Sequence, residues 1–177
     1  MLQHALIRLF FSAPLLATLL VAATAAPGIA SDSRETARFR HVCAQAVAAA
    51  ERRHAIPATR ILGHSDIAPL RKQDPGEHFP WERLARAGIS LWPDFNGTTK
   101  EIIGKGLERG ASGSSVWRLQ TMLSEIGYGF DVTDIYGEAC EKIVTAFQRR
   151  WLPEQVTGQA DLTTLRRIGV IHALFAA

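Results

Sequence analysis

The sequence predicts an α+β chain that is predominantly helical, with one short strand in its first half and a compact three-helix bundle in its second. Three observations carry this. Apolar residues recur at three- and four-residue steps in several windows, which is the period of a helix with one buried face. Arg60-Ile61-Leu62-Gly63 is a short apolar run with room for one buried strand. Between the halves, residues 93–113 hold glycines at 97, 104, 106, 110 and 113 with little periodicity, as a linker does.

Composition narrows the class. Of 177 residues, 47% are hydrophobic and 21% charged, too apolar for a disordered tail and too charged for a multi-span membrane protein. Lys and Arg number 20 against 17 Asp and Glu, leaving a net charge of +3 with the basic residues scattered, so no nucleic-acid partner is expected. Two cysteines exclude a Cys-rich zinc site and a disulfide framework.

The amino terminus has Arg8 with His4, then an apolar run from Leu9 to Ala23, then small residues that offer cleavage after Ala25 or Ala30. That order reads as a secretory signal over residues 1–30 rather than an uncleaved anchor. The run is shorter than the roughly 20 apolar residues of a spanning helix, and no cysteine follows it closely enough for lipid attachment. The mature protein is expected to be periplasmic or secreted, without a stable membrane span.

From Arg34 to Arg53, Phe39, Val42, Cys43, Ala46 and Ala50 mark a helix that Ile56-Pro57 ends. The strand at 60–63 follows, and nothing upstream reads as a sheet neighbour for it. Pro69, Pro75, Gly76 and Pro80 make 64–80 a stiff loop. Trp81 to Ala87 forms a short helix stopped by Gly88. In the second half the stripes are Val116, Leu119, Met122, Leu123 and Ile126, ended by Gly127, then Cys140, Ile143, Val144, Phe147 and Trp151, ended before Pro153. Asp161 is the expected N-cap of a third helix carrying Leu162, Leu165 and Ile168. Cys43 and Cys140 lie among apolar neighbours and read as two buried thiols, a bridge between them being the minor alternative.

The segment His64-Ser65-Asp66-Ile67-Ala68-Pro69-Leu70-Arg71-Lys72-Gln73-Asp74-Pro75-Gly76 gathers an imidazole, an ammonium and a carboxylate on a proline-braced loop. Imidazole nitrogen and carboxylate oxygen suit zinc, whose catalytic sites take three protein ligands and leave a position for water. A lysine beside such a site suits stabilisation of an oxyanion. By spacing alone, His64 and Asp74 are either ligands or a loop hydrogen-bond pair. Asp66 reads as an Asx-type turn residue, and Arg71 as a surface charge.

Gly63-His64-Ser65-Asp66-Ile67-Ala68-Pro69, followed by Arg71-Lys72, Asp74-Pro75-Gly76 and Phe79-Pro80-Trp81, closely resembles the zinc-dependent N-acetylmuramoyl-L-alanine amidases. These enzymes cut the bond between muramic acid and the stem peptide of peptidoglycan. Arg53-His54-Ala55-Ile56-Pro57 and Gly88-Ile89 through Trp92-Pro93 extend the resemblance over about residues 36–93. It implies zinc as cofactor, His64 and Asp74 as ligands, and Lys72 as the oxyanion-stabilising cation. His54 matches a position without a ligand role.

Residues 108–171 resemble the peptidoglycan-binding modules attached to such hydrolases, through Gly113, Val116, Leu119-Gln120, Leu123, Ile126-Gly127-Tyr128, Tyr136-Gly137, Ala146-Phe147-Gln148, Thr157-Gly158 and Leu162 through Leu165. Tyr128, Tyr136 and Gln148 are the weak candidates there for contact with glycan or peptide, a structural role being the alternative for each. An Asp-Gly turn usual in these modules is replaced by Thr133-Asp134.

The expected organisation is a signal peptide (1–30) and a linker (94–107), read from the residues, with the C-terminal part of an amidase domain (34–93) and a peptidoglycan-binding domain (108–177) as the resemblance implies. The resemblance also implies a strand with a first zinc histidine and a sheet with a general-base glutamate. His4, His41, His78 and Glu77 do not match those positions. The expected fold is an incomplete amidase α/β remnant plus a small three-helix bundle. The expected protein is an amidase-family member, truncated and with an incomplete site; the alternative is a non-catalytic exported peptidoglycan-binding protein.

Overall fold

The computed structural model describes residues 56–95, 106–129 and 131–175, together with positions 8–10, 18–21, 45, 49 and 53. It divides into two units: Met1–His64 with Asp74–Trp92, and Ser65–Gln73 with Pro93–Ala177.

The first unit contains strands β1 (Arg8–Phe10), β2 (Thr18–Val21) and β3 (Ile61–Gly63) in the order β1-β2-β3. β1 and β2 run antiparallel with Leu9 opposite Leu19, and β2 and β3 run parallel with Leu20 opposite Leu62. The expectation that nothing upstream supplies β3 with a neighbour is thus corrected. A strand must pair its N–H and C=O groups, and an apolar Leu/Val run suits a buried strand as well as a leader core. Gln45, Ala49 and Arg53 are helical and exposed, four residues apart on one face of the helix expected at 34–53. The rest of that helix lies outside the described residues, as do His4, His41, Cys43 and His54.

His64–Ile67 forms a single helical turn, α1, where an irregular loop was expected. A short helix, α2 (Trp81–Arg86), ends before Gly88, whose φ of +75° favours a residue without a Cβ. Ile56, Ile61, Trp81, Leu84 and Ile89 form the core of this unit, with the Phe79 ring 4.7 Å from that of Trp81. Burying each such side chain fully is worth about 1.5–3 kcal/mol.

The second unit is built on α3 (Ser114–Ile126), α4 (Glu138–Trp151) and α5 (Leu162–Phe175). The apolar stripes turn inward, and Leu119, Leu123, Ile143, Phe147, Ile168 and Ile171 are each at most 1% exposed. Gly127 ends α3 at a φ of 118°. Asp161 caps α5, its Oδ1 accepting the Thr164 backbone N–H at 2.8 Å. Burial raises the Asp161 carboxyl, but hydrogen bonds from Thr164 and Gln155 outweigh it and hold the carboxyl below its usual range. Burial pushes the Cys140 thiol up to about 12, so it stays protonated and inert.

Candidate functional site

β3 ends by delivering His64, and the chain returns at Asp74. Between them Ala68 O accepts from the N–H groups of Arg71 (3.1 Å) and Lys72 (2.9 Å), a tight turn beginning beside Pro69. His64 Nδ1 is hydrogen-bonded to Asp74 Oδ2, and the two side chains keep 23% and 20% exposure. Lys72 lies exposed two residues before Asp74, and Arg71 is likewise exposed.

An imidazole nitrogen and a carboxylate oxygen are donors of the kind that zinc takes; hydrogen-bonded directly to each other, they would have to part to admit an ion between them. Among the described residues no third His, Cys, Asp or Glu completes a metal-holding group. The donors fit zinc in kind and fall short in number, so no hydrolytic step is derived through a metal. Exposed His78 does not join them.

Asp66 has partners far from it in sequence. It is 7% exposed; its Oδ2 accepts from Arg150 Nη1, and its Oδ1 accepts from the Tyr128 hydroxyl at 3.1 Å. Arg150 is itself 2% exposed. Burial, followed by the Asp66 charge, pushes the Tyr128 hydroxyl well above its ordinary pKa, so it remains a donor. The turn role expected for Asp66 overlooked these two partners, which lie 84 and 62 residues away and leave no local pattern.

Tyr136 and Gln148 are also fully buried. The Tyr136 hydroxyl donates to Gly158 O at 2.8 Å. Gln148 Oε1 accepts the N–H groups of Thr157 (2.9 Å) and Gly158 (2.8 Å), while Nε2 donates to Gln159 O (2.8 Å) and Thr164 Oγ1 (3.0 Å). Gln120 repeats the device one helix earlier: Oε1 accepts from the N–H groups of Thr133 and Asp134, and Nε2 donates to Ile135 O. Each glutamine staples the loop that leads to the next helix. Tyr128, Tyr136 and Gln148 therefore have their polar atoms engaged inside the unit, away from solvent.

Residues 112–168 match the family model described as "Putative peptidoglycan binding domain". Over 113 residues the chain is 34% identical to the N-acetylmuramoyl-L-alanine amidase AmiD of Escherichia coli K12, covering 63% of this chain and 39% of that protein. Part of this chain is therefore similar to part of an N-acetylmuramoyl-L-alanine amidase. It is similar in structure to E. coli AmiD in complex with the substrate anhydro-N-acetylmuramic acid-L-Ala-D-gamma-Glu-L-Lys, with a TM-score of 0.57 at 27% identity, over 73% of this chain and 49% of that one. It shares its fold with AmpDh3 of Pseudomonas aeruginosa, with a TM-score of 0.60 at 23% identity, over 77% of this chain and 53% of that one. The chain thus spans 39% of the length of this curated relative.

Proposed function

We propose that this chain is an exported cell-wall protein of the N-acetylmuramoyl-L-alanine amidase type, directed at the amide between muramic acid and the stem peptide. The observation that carries the reading is the convergence of His64 and Asp74 at the two ends of the 65–73 segment. In this proposal they are two ligands of a zinc ion, and Lys72 is the cation for the oxyanion. The residues' own task in this proposal is to supply the imidazole and carboxylate donors.

The remaining assignments follow the same proposal. Residues 1–30 direct export to the periplasm or medium, 34–93 are the C-terminal part of an amidase domain, 94–107 the linker and 108–177 a three-helix module that holds peptidoglycan. The match over residues 112–168 supports the last of these. Tyr128, Tyr136 and Gln148 are assigned to holding the module together.

A second reading, a non-catalytic peptidoglycan-binding protein, is favoured by one observation: only two candidate ligands meet among the described residues. Dialysed full-length protein, incubated with purified sacculi and with muropeptides in the presence and absence of added zinc, separates the readings. Zinc-dependent release of stem peptide supports the amidase. Retention on sacculi without release supports the binding protein, and absence of both overturns the two together.

A further inference from the structure

Tyr128, Tyr136 and Gln148 are closed off inside the helical unit, so contact with a wall polymer falls to its surface. Of the two tryptophans in that unit, Trp151 is buried, whereas Trp117, in the first turn of α3, is 53% exposed. Ile135 is 57% exposed, and Val132 is exposed as well. These three gather at one end of α3. Ser112, just before the helix, pairs with Ile135 as an antiparallel bridge, and the Gly113 N–H donates to Asp134 O at 2.9 Å. Gln120, one turn along from Trp117, holds Thr133, Asp134 and Ile135 through its amide. Single apolar residues on a surface need no explanation, but a cluster of them marks a contact site. The cluster is also fixed in advance: Trp117 stands on a regular helix, and the loop is pinned by these bonds although Asp134 takes a φ of +60°, sparsely used by residues with a Cβ. Side chains held in place beforehand lose little freedom when a ligand lands on them.

Charge narrows the ligand. The loop carries two exposed carboxylates, Asp131 and Asp134, which repel the free carboxylates of a stem peptide. Arg118, also exposed, follows Trp117 on α3 and so lies about 100° further round the helix. An N-acetylated amino sugar is uncharged, with a C–H face that suits an indole, a methyl group that suits branched aliphatic side chains, and hydroxyls that can meet the exposed Ser114, Ser115 and Thr133. Resting on the reading of residues 108–177 as a peptidoglycan-holding module, we propose that Trp117 is the platform on which the glycan strand lies. Its ring takes the C–H face of an N-acetylated sugar, and Ile135 and Val132 take the acetyl methyl.

The test uses the full chain, sedimented with purified sacculi over a range of concentrations. Trp117→Ala should weaken retention about tenfold, Ile135→Ser about threefold, and Trp117→Phe, which keeps an aromatic face, by less than Trp117→Ala. Leu174→Ser, at an exposed apolar position on α5, should leave retention unchanged. Oligomers of N-acetylglucosamine should displace wild-type protein from sacculi and move the Trp117 indole N–H resonance, and free stem peptide should do neither. Should Trp117→Ala lose its helical circular dichroism, Trp117→Phe and Ile135→Ser carry the same readout. Wild-type protein that sacculi do not retain overturns the module reading, and the platform with it. Retention that ignores the Trp117 and Ile135 variants, that falls equally in Leu174→Ser, or that yields to stem peptide and not to the sugar oligomers, overturns the platform alone.

Discussion

Gln120 and Gln148 make nearly the same set of hydrogen bonds, yet replacing each by leucine should not cost the same. Gln148→Leu strips the Gly158 N–H of its acceptor and Thr164 of a donor, and both residues are buried. A buried polar group left without a partner costs about 1–3 kcal/mol, so the loss should come to about 2–4 kcal/mol. Gln120→Leu frees groups of Thr133, Asp134 and Ile135, all of them exposed. Water replaces the amide there, and the net loss should stay near about 1–2 kcal/mol. Urea unfolding of both variants, followed by far-UV circular dichroism, measures the gap. Equal losses, or a larger one at Gln120, would refute the reasoning. If Gln148→Leu kept its stability and lost retention on sacculi, the residue would be a ligand contact after all.

Gly158→Ala should destabilise the helical unit by about 1–3 kcal/mol, because φ is +74° and a Cβ would stand 2.9 Å from Thr145 Oγ1; Gly110→Ala, at φ +95° in open space, should cost about 1 kcal/mol. Thermal melts of the two variants give the comparison. Asp161→Ala should cost about 1 kcal/mol at neutral pH through loss of the α5 cap. Because the folded Asp161 carboxyl is held below its ordinary value, that gap should be complete above about pH 4 and close as pH falls further; denaturation of both proteins across that range measures it. Cys140 should resist iodoacetamide in folded protein and react once the chain is unfolded, as read by peptide mass mapping.

Much of the helical unit was legible because its information is local. The stripe from Val116 to Ile126, the Gly127 stop and the Asp161 cap each declare themselves within a few residues, and the structure has α3 and α5 there. The His64–Asp74 contact was legible as a motif, since ten residues of proline-braced chain bring the ends back together. What stayed hidden depends on distant partners. Asp66 looks like a turn former until Arg150 and Tyr128 arrive from α4 and the end of α3. Thr18–Val21 has the chemistry of a leader core, and nothing near it in sequence announces its parallel pairing with Ile61–Gly63. Tyr136 and Gln148 carry groups that could meet a sugar, and nothing nearby in sequence says that Gly158 and Thr164 already use them.

The account turns on whether His64 and Asp74 hold one ion between them. Crystals of the full chain soaked in zinc and measured at the zinc absorption edge address this directly. An anomalous peak about 2.0–2.2 Å from both His64 Nδ1 and Asp74 Oδ2 is the expected result. Zinc found only elsewhere, with the imidazole still bonded directly to the carboxylate, would contradict it.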